Sequence, residues 1–236
     1  YIVQSQKFAE MKPDAEIAEF LDDFTLKSAD DEIKLNQMQK HDINLILQKR
    51  YGFIQWEQGS GKTLAGIAIG KYRMEVQGAR NVFVVSTAIS IKNNWDDVLE
   101  QFGIPYRMIN SLSDVAKIRQ GEFIIITLNI LTKYYKRLNR FVKQINRNAT
   151  LIFDESDSIS NMDSKRTKAV LSVFRKMRFK TLMTGTSTRN NIAEIYPQLE
   201  LLYNNSVNMI NECKVICERN REGEVETVEN PHYMIR

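Results

Sequence analysis

Cysteine and histidine are nearly missing from this chain, with two of each among 236 residues. Cys213 and Cys217 could share a helical face, but zinc wants four ligands. His41 is remote in sequence, and His232 would still leave one ligand wanting, so the pair reads as two free thiols of an intracellular protein. No apolar run approaches the roughly 18 residues needed to cross a bilayer. The N-terminus lacks the basic-then-apolar pattern of a secretory signal. The expectation is a cytoplasmic, non-secreted protein with no membrane partner. Internal repeats and low-complexity tracts are absent as well. What remains is ordinary globular composition, 43% hydrophobic and 26% charged, which sets aside disordered and fibrous classes.

Charge is unevenly spread along the chain. Residues 1–34 carry nine acids and four bases, whereas residues 35–236 carry 20 acids and 29 bases. An acidic N-terminal extension on a basic body suits a polyanionic partner. Pro13-Asp14-Ala15-Glu16 opens an amphipathic segment with Ile17, Phe20, Leu21 and Phe24 at helical spacing. Ser28-Ala29-Asp30-Asp31 reads as a linker, and a second helix is expected from Met38 to Leu47. Beyond it, apolar runs at Tyr51–Trp56, Val82–Val85, Phe123–Ile126, Leu151–Phe153 and Thr181–Met183 alternate with helical stretches at Thr63–Val76, Ile91–Phe102 and Lys165–Met177. Continuous apolar strands alternating with helices imply an α/β fold, a parallel sheet covered on both faces. Ligands of such sheets sit beyond the carboxyl ends of the strands.

Two motifs begin at such ends. Trp56-Glu57-Gln58-Gly59-Ser60-Gly61-Lys62-Thr63 follows a strand and opens a helix. Its glycines let backbone amides turn inward around phosphate oxygens, and the helix N-terminus adds a positive dipole end. Lys62 is placed to reach the β and γ phosphates of ATP, and the Thr63 hydroxyl to ligate Mg2+. Leu151-Ile152-Phe153-Asp154-Glu155 is the complementary element. An apolar strand ending in two carboxylates sets Asp154 at the metal and Glu155 at the attacking water.

With these residues in hand, the chain resembles the first RecA-like lobe of the Swi/Snf-like ATPases in helicase superfamily two. The resemblance runs from about Leu35 to Tyr203. Leu35-Asn36-Gln37-Met38-Gln39 is similar to that family's adenine-reading segment, which implies base recognition by Gln39. Glu57 to Thr63, with Gln58 inside it, resembles "DMGLGKT". Val84-Val85-Ser86-Thr87 with Asn94-Trp95 resembles "VVP…NW", and Ile124-Ile125-Ile126-Thr127 resembles "VITTY". Asp154-Glu155-Ser156-Asp157 stands where the family has "DEAH" or "DEGH". Thr184-Gly185-Thr186-Ser187-Thr188-Arg189-Asn190-Asn191 tracks "TGTPIQNN". Asp157, Ser187, Arg189 and Thr87 depart from the family's His, Pro, Gln and Pro.

The resemblance implies a three-layer RecA-like fold and ATP hydrolysis with Mg2+, coupled to movement along double-stranded DNA. Asp157, Thr184, Gly185 and Thr186 would carry the coupling. Ser86, Thr87 and Thr127 would hold the tracked strand by its backbone. It also implies a second RecA-like lobe supplying an arginine finger, and no motif of that lobe follows Tyr203. The chain is expected to divide into an acidic helical N-terminal extension (1–34), the RecA-like ATP-binding motor lobe (35–203), and a charged tail or the start of an insertion or second region (204–236). No acid occurs between Glu122 and Asp154, while Lys133, Lys136, Arg137, Arg140, Lys143 and Arg147 do, and Arg137 and Arg140 are candidates for further phosphate contact. Trp95, on an amphipathic stretch, reads as core packing. High Ile, Asn and Lys usage fits an AT-rich bacterial or phage genome. Two alternatives come from other classes. A terminase-type packaging motor is disfavoured by the Gln39 and Trp95 segments. A nucleotide-sensing module without turnover is disfavoured by intact Lys62, Thr63, Asp154 and Glu155.

Overall fold

The computed structural model describes residues 11–185 and 192–203, together with the backbone of Val215–Arg219 and Val225–Glu229. Helix α1 (Ala15–Asp23) starts at Asp14, whose carboxylate accepts from the amides of Glu16 and Ile17. A hairpin follows, β1 (Thr25–Lys27) and β2 (Glu32–Lys34), then α2 (Gln37–Leu47), β3 (Tyr51–Gln55), α3 (Lys62–Glu75) and β4 (Val82–Ser86). The chain next forms α4 (Ala88–Ser90), a π-helical turn (Ile91–Asp96), α5 (Asp97–Gln101), β5 (Tyr106–Met108), α6 (Leu112–Ala116) and β6 (Phe123–Thr127). Helix α7 (Leu128–Gln144), β7 (Thr150–Asp154), a 3₁₀ turn (Ser156–Ser158), α8 (Lys165–Phe174), β8 (Phe179–Thr184) and α9 (Tyr196–Leu202) complete the main body. Val215–Arg219 and Val225–Glu229 form a separate antiparallel pair, β9 and β10.

Six strands make one parallel sheet in the order β3-β8-β7-β4-β6-β5. Side chains of a strand alternate between faces, and here the alternation sorts two cores. Val82, Val84, Phe123, Ile125, Ile152 and Met183 face α1, α2, α3 and the π turn, where Ile17, Leu21, Ile43, Ile67 and Trp95 meet them. Phe83, Val85, Ile124, Ile126, Leu151 and Phe153 face α7, α8 and α9, where Leu131, Leu138, Val170, Phe174 and Leu201 meet them. The result is the parallel sheet covered on both faces that the alternating apolar runs predict, in the three-layer RecA-like form that the resemblance implies.

Residues 28–31 prove to be a turn and not a linker. The Ser28 amide donates to Asp31 O at 2.8 Å, closing the β1–β2 hairpin. Ile17, Leu21, Phe24 and Leu26 lie in the same core as the lobe's own helices. Asn44 on α2 locks that contact: its Oδ1 accepts from the Asp14 amide at 2.7 Å and its Nδ2 donates to Asp14 O at 2.8 Å. Such pairing satisfies a buried amide at both ends.

Candidate functional site

The loop between β3 and α3 takes its shape from two glycines. Gly59 and Gly61 have φ of 80° and 85°, a left-handed region that costs a side chain about 1 kcal/mol or more. Gly61 is also confined: a Cβ there would lie 2.5 Å from Gln39 Nε2. Gln39 is buried, and both ends of its amide are engaged. Oε1 accepts from the Asn36 amide at 2.9 Å, and Nε2 donates to Ser60 O at 2.8 Å. Helix α2 thereby braces the loop. Lys62, the first residue of α3, donates from Nζ to Trp56 O at 3.0 Å and to Glu57 O at 2.9 Å. Glu57, Gln58 and Gly59 are exposed, while Ser60 to Thr63 are half-buried. Where a stricter phosphate-loop pattern has glycine, Trp56 is buried and donates from Nε1 to Asp42 at 2.9 Å.

Asp154 ends β7 at 4% exposure. One of its oxygens, Oδ2, accepts three donors: Ser90 Oγ at 2.7 Å, Trp95 Nε1 at 3.0 Å and Ser86 Oγ at 3.4 Å. Its Oδ1 accepts from the Glu155 amide at 3.1 Å. Glu155 itself is left-handed (φ 52°, ψ 50°), an uncommon conformation for a residue with a side chain. Such local strain clusters at functional sites. Two residues on, the buried Asp157 accepts from Thr184 Oγ1 at 3.1 Å, and Ser156 Oγ donates to Gln198 Oε1 at 2.8 Å. Because β8 lies between β3 and β7, Thr184 and Gly185 touch both motifs. A Cβ on Gly185 would stand 3.7 Å from Trp56 O and 4.0 Å from Lys62 Nζ. Thr186 and Ser187 to Asn191 lie outside the described residues.

Sequence reasoning missed the support of Asp154. Trp95 is fully buried as expected of a core residue, yet its indole N–H is spent on the carboxylate. A buried indole N–H usually finds an acceptor, which was the available signal. The π turn aims the ring, and Gly66 on α3 makes room for it, since a Cβ there would lie 2.6 Å from Trp95 Cη2. Trp95→Phe is expected to lower unfolding free energy by about 1.5–3 kcal/mol, the worth of a hydrogen bond to a charged group. The check is a double-mutant cycle by urea unfolding. An equal cost in an Asp154→Ala background, which removes the acceptor, would show that the bond contributes nothing.

The expected strand-holding residues separate into three groups. Ser86 needs correction, because its side chain is fully buried and its hydroxyl donates to Asp154, so it faces the carboxylate and not the outside. Thr87 and Thr127 are half-buried N-caps of α4 and α7, accepting from the Ser90 and Ile130 amides at 3.3 Å each. Strands β4 and β6 pair with Ser86 opposite Thr127, so the two capped helix starts lie side by side at the carboxyl edge. Arg137 and Arg140 are exposed on α7. At 1.5 Å per residue they lie roughly 14 and 18 Å from the helix start, away from that edge. The structure does not bring them together with Thr87 and Thr127.

With a glycine loop at one strand end and a carboxylate pair at the next strand but one, the six-stranded parallel sheet has the layout of a first RecA-like lobe of helicase superfamily two. The chain belongs to the DEAD/DEAH box helicase family, whose model matches residues 36–195. It is 26% identical over 169 residues to the transcription regulatory protein SNF2 of Saccharomyces cerevisiae, covering 68% of this chain and 10% of that protein. The chain thus spans about a tenth of the length of the curated relatives it matches. Its fold is similar to the SWI2/SNF2 ATPase core of Sulfolobus solfataricus in complex with dsDNA (TM-score 0.59, 19% identity, covering 77% of this chain and 37% of that one). It is also similar to the UvsW helicase of bacteriophage T4 (TM-score 0.60, 14% identity, covering 81% and 67%). Among the described residues, no helix is long and apolar enough to cross a membrane.

Proposed function

We propose that this lobe binds ATP with Mg2+ and acts as the first half of a motor moving along double-stranded DNA, completed by a second RecA-like lobe. The observation that carries the reading is the convergence of Lys62, Asp154, Glu155 and the Thr184-Gly185 step on the carboxyl ends of three neighbouring strands. The donor set suits the ligand. Loop amides, a helix start and an ammonium group accept phosphate, while a hydroxyl and a buried carboxylate suit a hard cation. When bound, Mg2+ would neutralise charge on the phosphate oxygens; Thr63 and Asp154 are the residues to hold it.

The chain's own groups supply the rest. Lys62 exchanges its bonds to Trp56 O and Glu57 O for phosphate oxygens, and Glu155 orients the attacking water. Gln58 to Gly61 turn their amides toward the phosphates. Asp157, Thr184, Gly185 and Thr186 relay the state of the site, because β8 touches the loop and the carboxylate segment at once. Thr87 and Thr127 hold the tracked strand at the carboxyl edge, with Arg137 and Arg140 as further phosphate contacts. Residues 35–203 constitute the motor lobe, 1–34 an acidic extension whose Ile17, Leu21, Phe24 and Leu26 share the lobe's core, and 204–236 a charged tail or the start of an insertion or second region. Isothermal titration tests the core of the reading: Mg-ATP should bind, and Lys62→Ala should remove the binding.

Gln39 retains the capacity to read adenine. A carboxamide has two N–H donors and two acceptor lone pairs, and one of each is already used on Ser60 O and the Asn36 amide. The remaining donor and acceptor suit the base edge. ATP is expected to bind more tightly than GTP, and Gln39→Ala to narrow the gap, because a mismatched base leaves buried polar groups unpaired. Equal affinity of the unaltered chain for both nucleotides would refute this role.

A further inference from the structure

Helices α7 and α8 run side by side in the same direction. Arg166 Nη2 on α8 donates to Asn129 Oδ1 at the start of α7, and further along Asn139 Nδ2 donates to Ser172 Oγ, each at 3.2 Å. Past that bond the helices enclose a groove of about 430 Å³. Lys143, Arg147, Lys168, Arg175 and Lys176 line it, with no carboxylate among the lining residues. The pattern is laid down in the sequence. Lys136, Arg140 and Lys143 recur at i, i+4 and i+7, so they form one stripe along α7, and Arg147, in the left-handed turn after the helix, joins Lys143 at the groove. Lys165, Lys168, Ser172 and Lys176 form the matching stripe along α8, and no acid occurs between Asp163 and Glu194.

Three ordinary explanations fall short. Cations near helix C-termini offset the dipole, but that accounts for one per helix, and five line this groove. Internal neutralisation is incomplete. Arg175 pairs with Glu200 at 3.1 Å, and Lys168 pairs with Asp163 at 3.2 Å across solvent. Lys143, Arg147 and Lys176 have no carboxylate within ion-pair reach among the described residues. A protein partner would be expected to find aromatic or aliphatic anchors, yet none of the exposed large hydrophobic residues lies in the groove.

We propose that this groove seats the phosphate backbone of a nucleic acid at the amino-terminal edge of the sheet, as a second contact apart from the track at the carboxyl edge. Its location follows from the turns below it. The Arg178 amide donates to Arg147 O at 3.1 Å, immediately before β8 and β7 begin. A five-residue strand at about 3.3 Å per residue puts the groove roughly 17 Å from the nucleotide loop's edge. From Lys168 to Lys176 the stripe runs about 12 Å, equal to the axial rise of three to four nucleotides at roughly 3.4 Å each. The contact is sequence-independent, because every side chain involved addresses backbone charge.

The test uses the nucleotide-free 236-residue chain and labelled duplexes of unrelated sequence, with binding followed by fluorescence anisotropy between 50 and 200 mM salt. In the triple variant Lys143→Ala, Arg147→Ala, Lys176→Ala, the log–log salt slope should flatten by about 2–3, from roughly 0.9 per lost phosphate contact. Affinity near 100 mM salt should fall about tenfold or more on the same basis. Circular dichroism and the urea midpoint of the variant should match the parent. An unchanged slope would overturn the proposal. So would displacement of poly-glutamate, and not DNA, by the triple change, which would assign the groove to acidic polypeptide. Mg-ATP titration of the same variant keeps the two readings apart. Failure of the unaltered chain to bind nucleotide would sink the motor assignment and leave the groove result standing.

Discussion

Given saturating Mg-ATP and duplex DNA, the isolated 236-residue chain is expected to bind nucleotide yet turn it over ~10³–10⁵-fold more slowly than a two-lobe motor. On the proposed function, Lys62, Thr63 and Asp154 assemble the ground-state complex on one lobe, and Glu155 orients water. The transition state spreads charge over the γ-phosphoryl oxygens, and that charge is stabilised by an arginine finger that the Swi/Snf-like resemblance places on the second lobe. Duplex DNA should not accelerate turnover, because stimulation requires two lobes to close on it. A steady-state assay with and without DNA, with Glu155→Gln as control, measures this. DNA-stimulated turnover of roughly 1–100 per second, abolished by Glu155→Gln, would show that the chain supplies its own finger, by itself or from a second copy.

The stability of the lobe should rise between about pH 8 and pH 10.5 through one lysine. Lys180 on β8 is 1% exposed, donates to Arg175 O at 2.8 Å and Leu201 O at 2.6 Å, and lies 4.2 Å from the Tyr51 ring centroid. Burial pushes its ammonium down to about 8; nearby Glu200 opposes that shift and Arg175 adds to it. Below pH 8 the folded and unfolded chains both carry the proton, so the cost of burying the charge is fully present. Between 8 and the unfolded value of 10.5 the folded state has released it while the unfolded state keeps it, so folding gains as pH rises. A difference of about 2.5 pKa units corresponds to about 3 kcal/mol. Urea unfolding at pH 7 and pH 10 should show this gain relative to Lys180→Met, which removes the titrating group and cancels other alkaline effects. Parallel pH profiles for the two proteins would contradict it.

The elements that sequence reasoning reached are those whose physics is local or doubly buried. Strands β4, β6, β7 and β8 stood out because burial on both faces demands unbroken apolar runs, whereas β3, half-buried at the sheet edge, was marked by the glycine loop that follows it. Strand β5 escaped notice because Tyr106–Met108 is a three-residue edge strand, half-buried throughout. Residues 123–153 drew attention for their cations, although most of that stretch is the amphipathic 17-residue helix α7 with Leu131, Leu138 and Val142 in the core. The phosphate loop was legible because its chemistry is packed into consecutive residues. The support of Asp154 was not, since Ser90 and Trp95 lie 64 and 59 residues away in sequence. The bond from Ser156 to Gln198 spans 42. Ser86 was misassigned for a related reason: a serine at a strand end reads as exposed until the neighbouring aspartate is seen to claim its hydroxyl.

The position of β8 sets an order on how the lobe can be built. Among the described residues, strand β3 is a sheet edge and pairs only with β8, Gln55 lying opposite Thr184 after 129 intervening steps of chain. During synthesis the nucleotide loop therefore emerges early but has no flanking strand until residues 179–184 leave the ribosome. Strands β4, β6 and β7 can pair among themselves in the meantime, since their contacts close in shorter spans. The insertion of β8 between β7 and β3 is a late, long-range closure of the kind that slows folding. It brings the loop beside the carboxylates in the same event, so the two halves of the candidate site come together last, with the final strand pairing.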